Sequence, residues 1–471
     1  MVLKFFNSLG NKVEEFKSIK EGFVGLYTCG PTVYNFAHIG NLKCYVWEDL
    51  LKRYLLFRGF KVKQVMNYTD VDDKTIKGSI NEGIPLIEYT QRYKDYFLED
   101  IKKLNILPAE VYCAATDHIP QMVGVVKKLL DKGLAYKGED GSIYFSIKKF
   151  SKYGQLAGID PTKLKAGARV KQDEYSKEGV GDFALWKAWD ENDGPVYWDT
   201  ILGKGRPGWH IECSAMSMYY LGNQFDIHTG GIDNKFPHHE NEIAQSEGVS
   251  GKKFVNYWLH TAHLMVNGQK MSKSLGNFFT LNDLIKKGLD PKAIRYTLIN
   301  SNYRQPLNFT FEGVEDSKKT IQGLQNFIER LFEIKELKKG DGVDLFANNA
   351  LNDFIEAMDN DLNVPLAMAV VFDFVKKVNK LIDEGVVGLE GANNAILFLK
   401  KVDSVIGILD FSEKFFELNQ EQIQLIEERK IAKIEKNWVK ADSIRMQLER
   451  QGIQLIDNKD GSITAKQLSN H

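Results

Sequence analysis

The sequence predicts an α/β protein whose parallel sheet is interrupted by an insertion and followed by a helical bundle and a small α+β C-terminal domain. Residues 22–29 and 61–68 have the composition of buried strands, and residues 41–58 carry the apolar stripe of a helix. A strand, a crossover helix and a second strand form a parallel βαβ unit. Short glycine-punctuated segments between residues 119 and 204 indicate the insertion, and apolar spacings of three and four beyond residue 314 indicate helices.

The composition is typical of a soluble globular protein. A length of 471 residues corresponds to about three domains. The 62 basic and 63 acidic residues nearly cancel, so nucleic-acid binding has to come from local patches. The four cysteines are too sparse for a disulfide framework, and no apolar run approaches the ~20 residues that cross a membrane. Because the N-terminal apolar stretch is also too short for a signal peptide, we expect a cytoplasmic protein.

The α/β pattern resumes after the insertion. A helix is predicted near residues 213–220, a strand at 225–228 and a helix at 238–247. Residues 264–270 predict a hairpin, because their Asn-Gly pair supplies the positive φ angles of a tight turn.

The tail predicts one long helix from about residue 423 to residue 448, ended by Gly452, and two short strands. From Arg429 to Arg450, seven basic residues stand against three acidic ones, a local net charge of +4. Such a helix can contact an RNA backbone, although the pattern is as typical of a solvated face. Trp438 lies on the apolar stripe, which predicts a packing role.

Two loops have the composition of a nucleotide site. The first runs from Cys29 to Asn41 between a strand end and a helix start, where free N–H groups suit phosphate. In it, His38 can donate to phosphoryl oxygens and Gly40 permits close approach. The second, residues 270–274, places two lysines between flanking glycines, where they can clamp a polyphosphate and close over it. Either loop alone is explained as ordinary surface, but their co-occurrence favours a bound nucleotide.

Several metal-capable residues also lie on the predicted ligand side. His238 and Glu242 are four residues apart, so they share one face of a helix. With Cys29 and Cys213 they form a thiolate, imidazole and carboxylate set that suits tetrahedral zinc. The spacing is not a metal-binding signature, so from the residues alone the two cysteines are better explained as small buried hydrophobes. The further candidates are His210, His228, His239 and Glu240, whereas Cys44 and Cys113 are interpreted as inert thiols.

An ordered set of segments spread along the chain carries a resemblance to a known family: residues 27–34, 38–41, 67–73, 182–187, 205–216, 236–246, 270–274 and 303–308. The set resembles the class I aminoacyl-tRNA synthetases and, within them, the cysteine-specific family. Any one segment could arise by chance, but the ordered set is specific and covers nearly the whole chain.

The resemblance implies a Rossmann-type catalytic core that activates L-cysteine with ATP and transfers it to the 3′ end of tRNA(Cys). It implies one zinc ion on Cys29, Cys213, His238 and Glu242, magnesium with ATP, and a monomer. The implied cysteine-binding residues are Cys29, Thr69, Trp209 and His238. The implied ATP-binding residues are His38, Gly40, Asn41, Gly230, Asp233, Lys270, Ser272 and Lys273, of which His38, Lys270 and Lys273 are the catalytic ones.

The implied domains are a first half of the catalytic domain, a connective insertion, a second half, a lysine-loop and stem-contact region, a helical bundle and an anticodon-binding domain. Their predicted ranges are 1–118, 119–204, 205–262, 263–315, 316–410 and 411–471. The insertion is too short for an editing domain, and zinc selection of a thiol would make editing unnecessary. One departure stands at Ala465, where the family usually carries a tryptophan that could stack on an anticodon base.

Three alternatives remain at this point. A ligase of the mycothiol type would also adenylate cysteine but would pass it to an amino sugar, and the long C-terminal region disfavours it. A class I synthetase without thiol chemistry is disfavoured by Cys29 and Cys213. A non-catalytic RNA-binding paralogue is disfavoured by the intact segments 38–41 and 270–274.

Overall fold

The computed structural model describes residues 2–159, 169–170, 181–271, 275–338, 340–412, 418–457 and 463–467. The chain divides into two compact units, Met1–Asp410 and Phe411–His471. Within the described ranges, no helix is both long and apolar enough to cross a bilayer.

The first unit opens with a short hairpin and then builds the first half of a parallel sheet. Residue 23 begins a strand that is buried almost throughout, as expected for a sheet covered on both faces. The helix after it starts at a His38 cap, and the next strand follows a tight turn. The elements in order are β1 (Lys4–Asn7), β2 (Lys12–Glu15), β3 (Phe23–Thr28), α1 (Ile39–Phe57), β4 (Lys61–Tyr68), α2 (Asp73–Glu82), α3 (Leu86–Lys103) and β5 (Val111–Ala114).

The insertion consists of one helix and a mixed sheet. Its strands run in the order β10-β11-β9-β7-β6, with β8 pairing with β9. The predicted boundary at residue 204 falls within β11, so the insertion's sheet continues to Pro207. Its elements are α4 (Ile119–Asp131), β6 (Ala135–Lys137), β7 (Ile143–Phe145), β8 (Arg169–Val170), β9 (Asp182–Ala188), β10 (Trp198–Thr200) and β11 (Gly203–Pro207).

The second half of the parallel sheet follows, with α5 (Trp209–Leu221), β12 (Phe225–Gly231), α6 (His238–Ser250) and β13 (Val255–Thr261). All pairings in the order β13-β12-β3-β4-β5 are parallel, which confirms the predicted α/β class. The chain leaves β3 toward one edge and β12 toward the other. The carboxyl ends of β3 and β12 therefore form a switch point, where ligands bind in such sheets.

A three-stranded sheet and two helices come next: β14 (Leu264–Val266), β15 (Gln269–Lys270), α7 (Leu281–Lys286), α8 (Pro291–Ile299) and β16 (Leu307–Phe309). Asn267 and Gly268 have positive φ angles and join β14 to β15, which confirms the predicted hairpin. The unit ends in the predicted helices α9 (Phe311–Glu333), α10 (Val343–Asp359), α11 (Val364–Asp383) and α12 (Leu389–Ile406).

The C-terminal unit differs from its prediction. Instead of one long helix it has α13 (Gln420–Ile434) and α14 (Trp438–Arg450), broken where Lys436 takes a φ of 58°. A hairpin of β17 (Ile453–Asp457) and β18 (Ile463–Gln467) completes it. Its core contains Ile426, Ile444, Leu448, Ile453 and Leu455.

Trp438 is not in that core. Its side chain is 57% exposed, so the predicted packing role is wrong. The apolar stripe is divided by the turn at Lys436, and the residues flanking the turn face solvent. Ile434 is 81% exposed and Val439 is 84% exposed.

Candidate active site

The switch point places Cys29 directly after β3, where the backbone of the neighbouring strands crowds it. The Gly30 amide donates to the side-chain oxygen of Asn67 at 2.9 Å. A Cβ on residue 30 would lie 2.9 Å from the carbonyl carbon of Asn67 and closer still to its oxygen. Thr69 forms a parallel bridge with Thr32, so the segment after Cys29 and the end of β4 are held side by side. Glycine at position 30 is what permits this approach.

Two helices bring the other predicted metal ligands to Cys29. Cys213 is on α5, and His238 and Glu242 are one turn apart on α6. Donor atoms of Cys29, Cys213, His238 and Glu242 all lie within 4.8 Å of one another, and all four side chains are buried. The structure therefore brings together the four residues that the family resemblance implied.

The donor set fits a metal ion. Among the described residues, the buried Oε1 atom of Glu242 has no hydrogen-bond partner, although Nε2 of His238 lies 3.1 Å away. A cation shared between these two atoms would satisfy both. Two thiols, an imidazole and a carboxylate this close together suit zinc.

Burial shifts the pKa values of two of these donors, His238 and Cys29, toward their neutral forms. Burial lowers the pKa of His238 to about 3, so its imidazole is free of the competing proton near neutral pH. Burial raises the pKa of the Cys29 thiol, and the neighbouring Cys213 and Glu242 raise it further. A divalent ion held by these residues would oppose that shift and favour the thiolate.

The histidines left open by the sequence form a layer around the four donors. His228 Nε2 lies 3.0 Å from Glu242 Oε2, and His239 Nε2 lies 3.4 Å from Cys29 Sγ. These two, with Cys29 and Glu242, form a second group close enough to hold a metal ion. His210 Nδ1 lies 3.0 Å from His238 Nδ1, and so fixes the ring through the nitrogen that Glu242 does not face. Such outer partners orient metal ligands.

Glu240, another candidate, has a different partner. Its carboxylate accepts hydrogen bonds from the backbone amides of Gly154, Leu156 and Ala157 in the insertion, at 2.7–2.9 Å. Burial raises the pKa of Glu240, and these amides oppose that shift by stabilising the charged form. Its position on α6 thus ties the metal-site helix to the insertion.

The predicted phosphate loop has an additional internal contact. His38 Nδ1 accepts from the amides of Gly40 and Asn41 at 3.1 and 3.2 Å, so His38 caps α1. Two of the N–H groups expected to face a phosphate are therefore already used. Because Nδ1 is the acceptor, Nε2 carries the proton and is the group left to donate. Burial lowers the pKa of His38, which keeps the ring neutral.

The second predicted loop rests on this helix start. The Ile39 amide donates to the Phe279 carbonyl at 2.8 Å, and the His38 ring lies against Phe278. A Cβ at Gly40 would approach Met271 Cε to 2.5 Å, so the glycine makes room for that side chain. The exposed Lys270 belongs to the same segment. Ser272 and Lys273 lie outside the described residues.

The remaining predicted site residues lie along the same edge of the sheet. The Trp209 ring stacks on His238 with centroids 4.2 Å apart. Gly230 is the penultimate residue of β12 and lies beside His239, whose ring atom Cε1 would be 2.9 Å from an added Cβ. Asp233 is exposed and its carboxylate lies 3.3 Å from His263 Nδ1.

Two buried acids beside the site escaped the sequence analysis. Glu48 on α1 accepts from the Thr229 hydroxyl at 2.7 Å, and burial raises its pKa to about 8. Glu212 on α5 is fully buried; burial raises its pKa, Cys213 raises it further, and Thr69 lowers it. The only sign of these two residues in the sequence was that each is an acidic residue within a stretch expected to be buried.

Two family models match the chain. The tRNA synthetases class I (C) catalytic domain matches residues 15–319, and the DALR domain matches residues 353–410. Among solved structures, the fold is similar to Mycobacterium tuberculosis methionyl-tRNA synthetase bound by methionyl-adenylate, with a TM-score of 0.62 at 14% identity over 82% of this chain and 92% of that one. A putative arginyl-tRNA synthetase from Campylobacter jejuni gives 0.56 at 13% identity over 84% and 94%. The matched catalytic domain and the parallel sheet define a class I aminoacyl-tRNA synthetase.

Curated relatives identify the family within this class. The Cysteine--tRNA ligase of Protochlamydia amoebophila is 50% identical over 468 residues, which is 99% of this chain and 98% of the relative. That of Brachyspira hyodysenteriae is 50% identical over 470 residues, 97% of this chain and 98% of the relative. The chain belongs to the cysteine--tRNA ligase family, as its sequence motifs had indicated.

Proposed function

We propose that the chain activates L-cysteine with ATP and transfers the cysteinyl group to the 3′ end of tRNA(Cys), with one zinc ion selecting the substrate thiol. The observation that carries this proposal is the buried cluster of two thiols, an imidazole and a carboxylate at the switch point of the sheet. Cys29, Cys213, His238 and Glu242 would hold the ion.

Zinc, when bound, would favour cysteine over serine because it lowers the pKa of a coordinated thiol and prefers soft sulfur to a hydroxyl. An apolar pocket alone would separate the two by only about a hundredfold. Thr69 and Trp209 would border the substrate, since Thr69 is held beside the segment after Cys29 and Trp209 stacks on His238.

Adenylation and transfer both depend on positioning and charge stabilisation. In the first step a carboxylate oxygen of cysteine attacks the α-phosphorus of ATP and pyrophosphate leaves. In the second, a hydroxyl of the terminal tRNA ribose attacks the carbonyl carbon, and AMP leaves as the hydroxyl proton is released. The Nε2–H of His38 would donate to phosphoryl oxygens. Magnesium would accompany ATP, and the remaining nucleotide contacts would come from Gly40, Asn41, Gly230, Asp233, Lys270, Ser272 and Lys273.

Replacing His38 by asparagine separates the two roles of this residue. Asparagine is a good helix cap, so the free energy of unfolding should change by less than about 1 kcal/mol. It lacks the Nε2 donor, so kcat for cysteine-dependent ATP–pyrophosphate exchange should fall about a hundredfold or more. Steady-state exchange and thermal unfolding measure the two effects. An exchange rate within about threefold of the parent would contradict the phosphate role.

The C-terminal unit offers a surface for single-stranded RNA around the turn between α13 and α14. Trp438 is exposed there, and lysines 433, 436 and 440 are nearby in sequence. Arg429 is less suited to binding RNA, because it is buried and donates two hydrogen bonds to the Asp457 carboxylate, at 2.8 and 2.9 Å. Ala465 pairs with Leu455 in the hairpin and packs against the core. Trp438 is thus the candidate stacking residue of this unit.

The Trp438→Ala variant should raise KM for tRNA(Cys) about tenfold or more, since a base stacked on an aromatic ring contributes about 1–3 kcal/mol. Cysteine-dependent exchange in the absence of tRNA should be unchanged. Val439→Ala is the matched control, because Val439 is adjacent and even more exposed but offers no ring. Equal charging by both variants would exclude base stacking on Trp438.

The function is tested by two assays on one purified sample. ATP–pyrophosphate exchange should depend on cysteine and should not proceed with serine, and tRNA(Cys) should then be charged. Exchange without tRNA charging would point to a ligase that uses a small acceptor such as an amino sugar. Absence of cysteine-dependent exchange would overturn the proposal.

A further inference from the structure

Glu212 is a buried carboxylate that the described protein does not compensate. It is fully inaccessible to solvent, and neither carboxylate oxygen has a hydrogen-bond partner among the described residues. The described ion pairs give it no cation either. An unpaired carboxylate inside a protein is strongly unfavourable, so such a group generally has a partner or a function.

The position of Glu212 relates it to the substrate pocket. It precedes Cys213 on α5, and Cys213 belongs to the donor cluster. The Thr69 side chain is a near neighbour of the Glu212 carboxylate but falls outside hydrogen-bonding geometry. Glu212 therefore adjoins a metal-capable residue in sequence and lies near a residue that borders the proposed cysteine site.

The neighbouring acid, Asp70, shows how a buried carboxylate in this region is stabilised when it binds no ligand. Asp70 is also buried, but Lys94 lies 2.7 Å from its carboxylate, and Thr116 donates to it through both its amide and its hydroxyl. Asp70 is thus fully paired within the protein. Glu212 has no such partners among the described residues, so a cation from outside the protein could pair with it.

The substrate amino acid brings such a cation. In cysteine only two carbon atoms separate the thiol sulfur from the α-ammonium nitrogen. If the sulfur is held at the donor cluster, the ammonium has to come to rest within a side chain's length of Cys213. A charged donor that meets a buried carboxylate in this setting forms a strong hydrogen bond.

We propose that Glu212 binds the α-ammonium group of the substrate amino acid, with the Thr69 hydroxyl alongside it. This inference rests on the proposed function. The pocket then recognises cysteine at two points, the sulfur by the metal and the ammonium by Glu212. Thiols that lack the ammonium are rejected by the same site.

The test compares two ligands that share the thiol and the carboxylate but differ in the ammonium: L-cysteine and 3-mercaptopropionate. Their Kd values are measured on the zinc-loaded full chain by isothermal titration calorimetry. Glu212→Gln should weaken cysteine binding about a hundredfold, because it removes the charged partner of a buried pair. The Kd of 3-mercaptopropionate should stay within about threefold, and the zinc content should not change.

Glu240→Gln is the matched control, since Glu240 is also a buried glutamate beside the cluster but is satisfied by backbone amides. It should lower the melting temperature without changing the ratio of the two Kd values. Thr69→Val, like Glu212→Gln, should raise the Kd of L-cysteine relative to that of 3-mercaptopropionate. If the Glu212→Gln protein does not fold, the Thr69→Val protein tests the assignment instead.

Equal weakening of both ligands by Glu212→Gln, or no weakening of either, would overturn the assignment. Those outcomes are distinct from a failure of the proposed function, in which the unmodified chain itself would neither bind cysteine nor catalyse cysteine-dependent exchange.

Discussion

The Cys213→Ser variant is expected to lose both bound zinc and the ability to activate cysteine. The serine hydroxyl is a poor replacement for a thiolate, so the buried cluster would be left with three donors for the ion. Zinc content should fall from about one per chain to near zero. Because sulfur is then no longer recognised by the metal, kcat/KM for cysteine-dependent exchange should fall by about four orders of magnitude.

The matched control is Cys113→Ser. Cys113 is also buried, but its thiol donates to the Met66 carbonyl and belongs to neither metal-capable group. This variant should keep its zinc and its exchange activity, at some cost in stability. Metal analysis and exchange on the two proteins together separate a lost ligand from a disturbed core. Activation of cysteine by a zinc-free Cys213→Ser protein would contradict the role of the cluster.

The Gly30→Ala variant is expected to have the largest effect on stability. The added methyl group would overlap the backbone of Asn67, so β3 and β4 would have to separate or Cys29 would have to move. Overpacking against backbone that cannot yield should cost about 3 kcal/mol or more. Because the displaced residue is a metal donor, zinc affinity should fall as well. Denaturant unfolding with and without a chelator measures both effects.

Gly124→Ala provides the comparison. Gly124 lies in α4 with open space where a Cβ would be, so alanine should stabilise the protein by about 0.5–1 kcal/mol. If Gly30→Ala were as stable as Gly124→Ala, the close approach between residues 30 and 67 would not constrain the site.

The fold of the first unit was predictable because parallel strands buried on both faces give continuous apolar runs, as at β3 and β4. The nucleotide loops were predictable as patterns, but the use of His38 as a helix cap was not. Whether a histidine nitrogen faces its own backbone or a ligand depends on the angle at which the chain enters the helix, and no residue pattern specifies that angle.

The metal donors illustrate the same limit. His238 and His239 are adjacent, and the packing of α6 against α5 decides which of them joins Cys213. The residues alone did not distinguish His238 from His239 as the metal ligand, whereas the family resemblance implied His238. His210, His228 and His239 were candidates from the sequence, but their positions around the cluster and the burial of Glu212 depend on contacts between elements distant in sequence, so these could not be predicted.

The prediction of one long helix in the C-terminal unit was wrong for a different reason. A helical apolar stripe shows which side chains share a face, but it does not show that anything covers that face. The stripe through Ile434 and Trp438 continues across Lys436, where the backbone turns. The interruption carries no glycine or proline, so it left no mark in the sequence.

The hydrogen bonds of Glu240 have a consequence for anyone who would shorten this enzyme. The helix that presents His238 and Glu242 inward also anchors, through Glu240, the segment from Gly154 to Ala157. Excising the insertion would remove those amides and leave the Glu240 carboxylate without its hydrogen-bond donors, within one helical turn of the proposed metal ligands. A minimal version of the catalytic domain would therefore need a new residue at position 240 as well as a new connection across the gap.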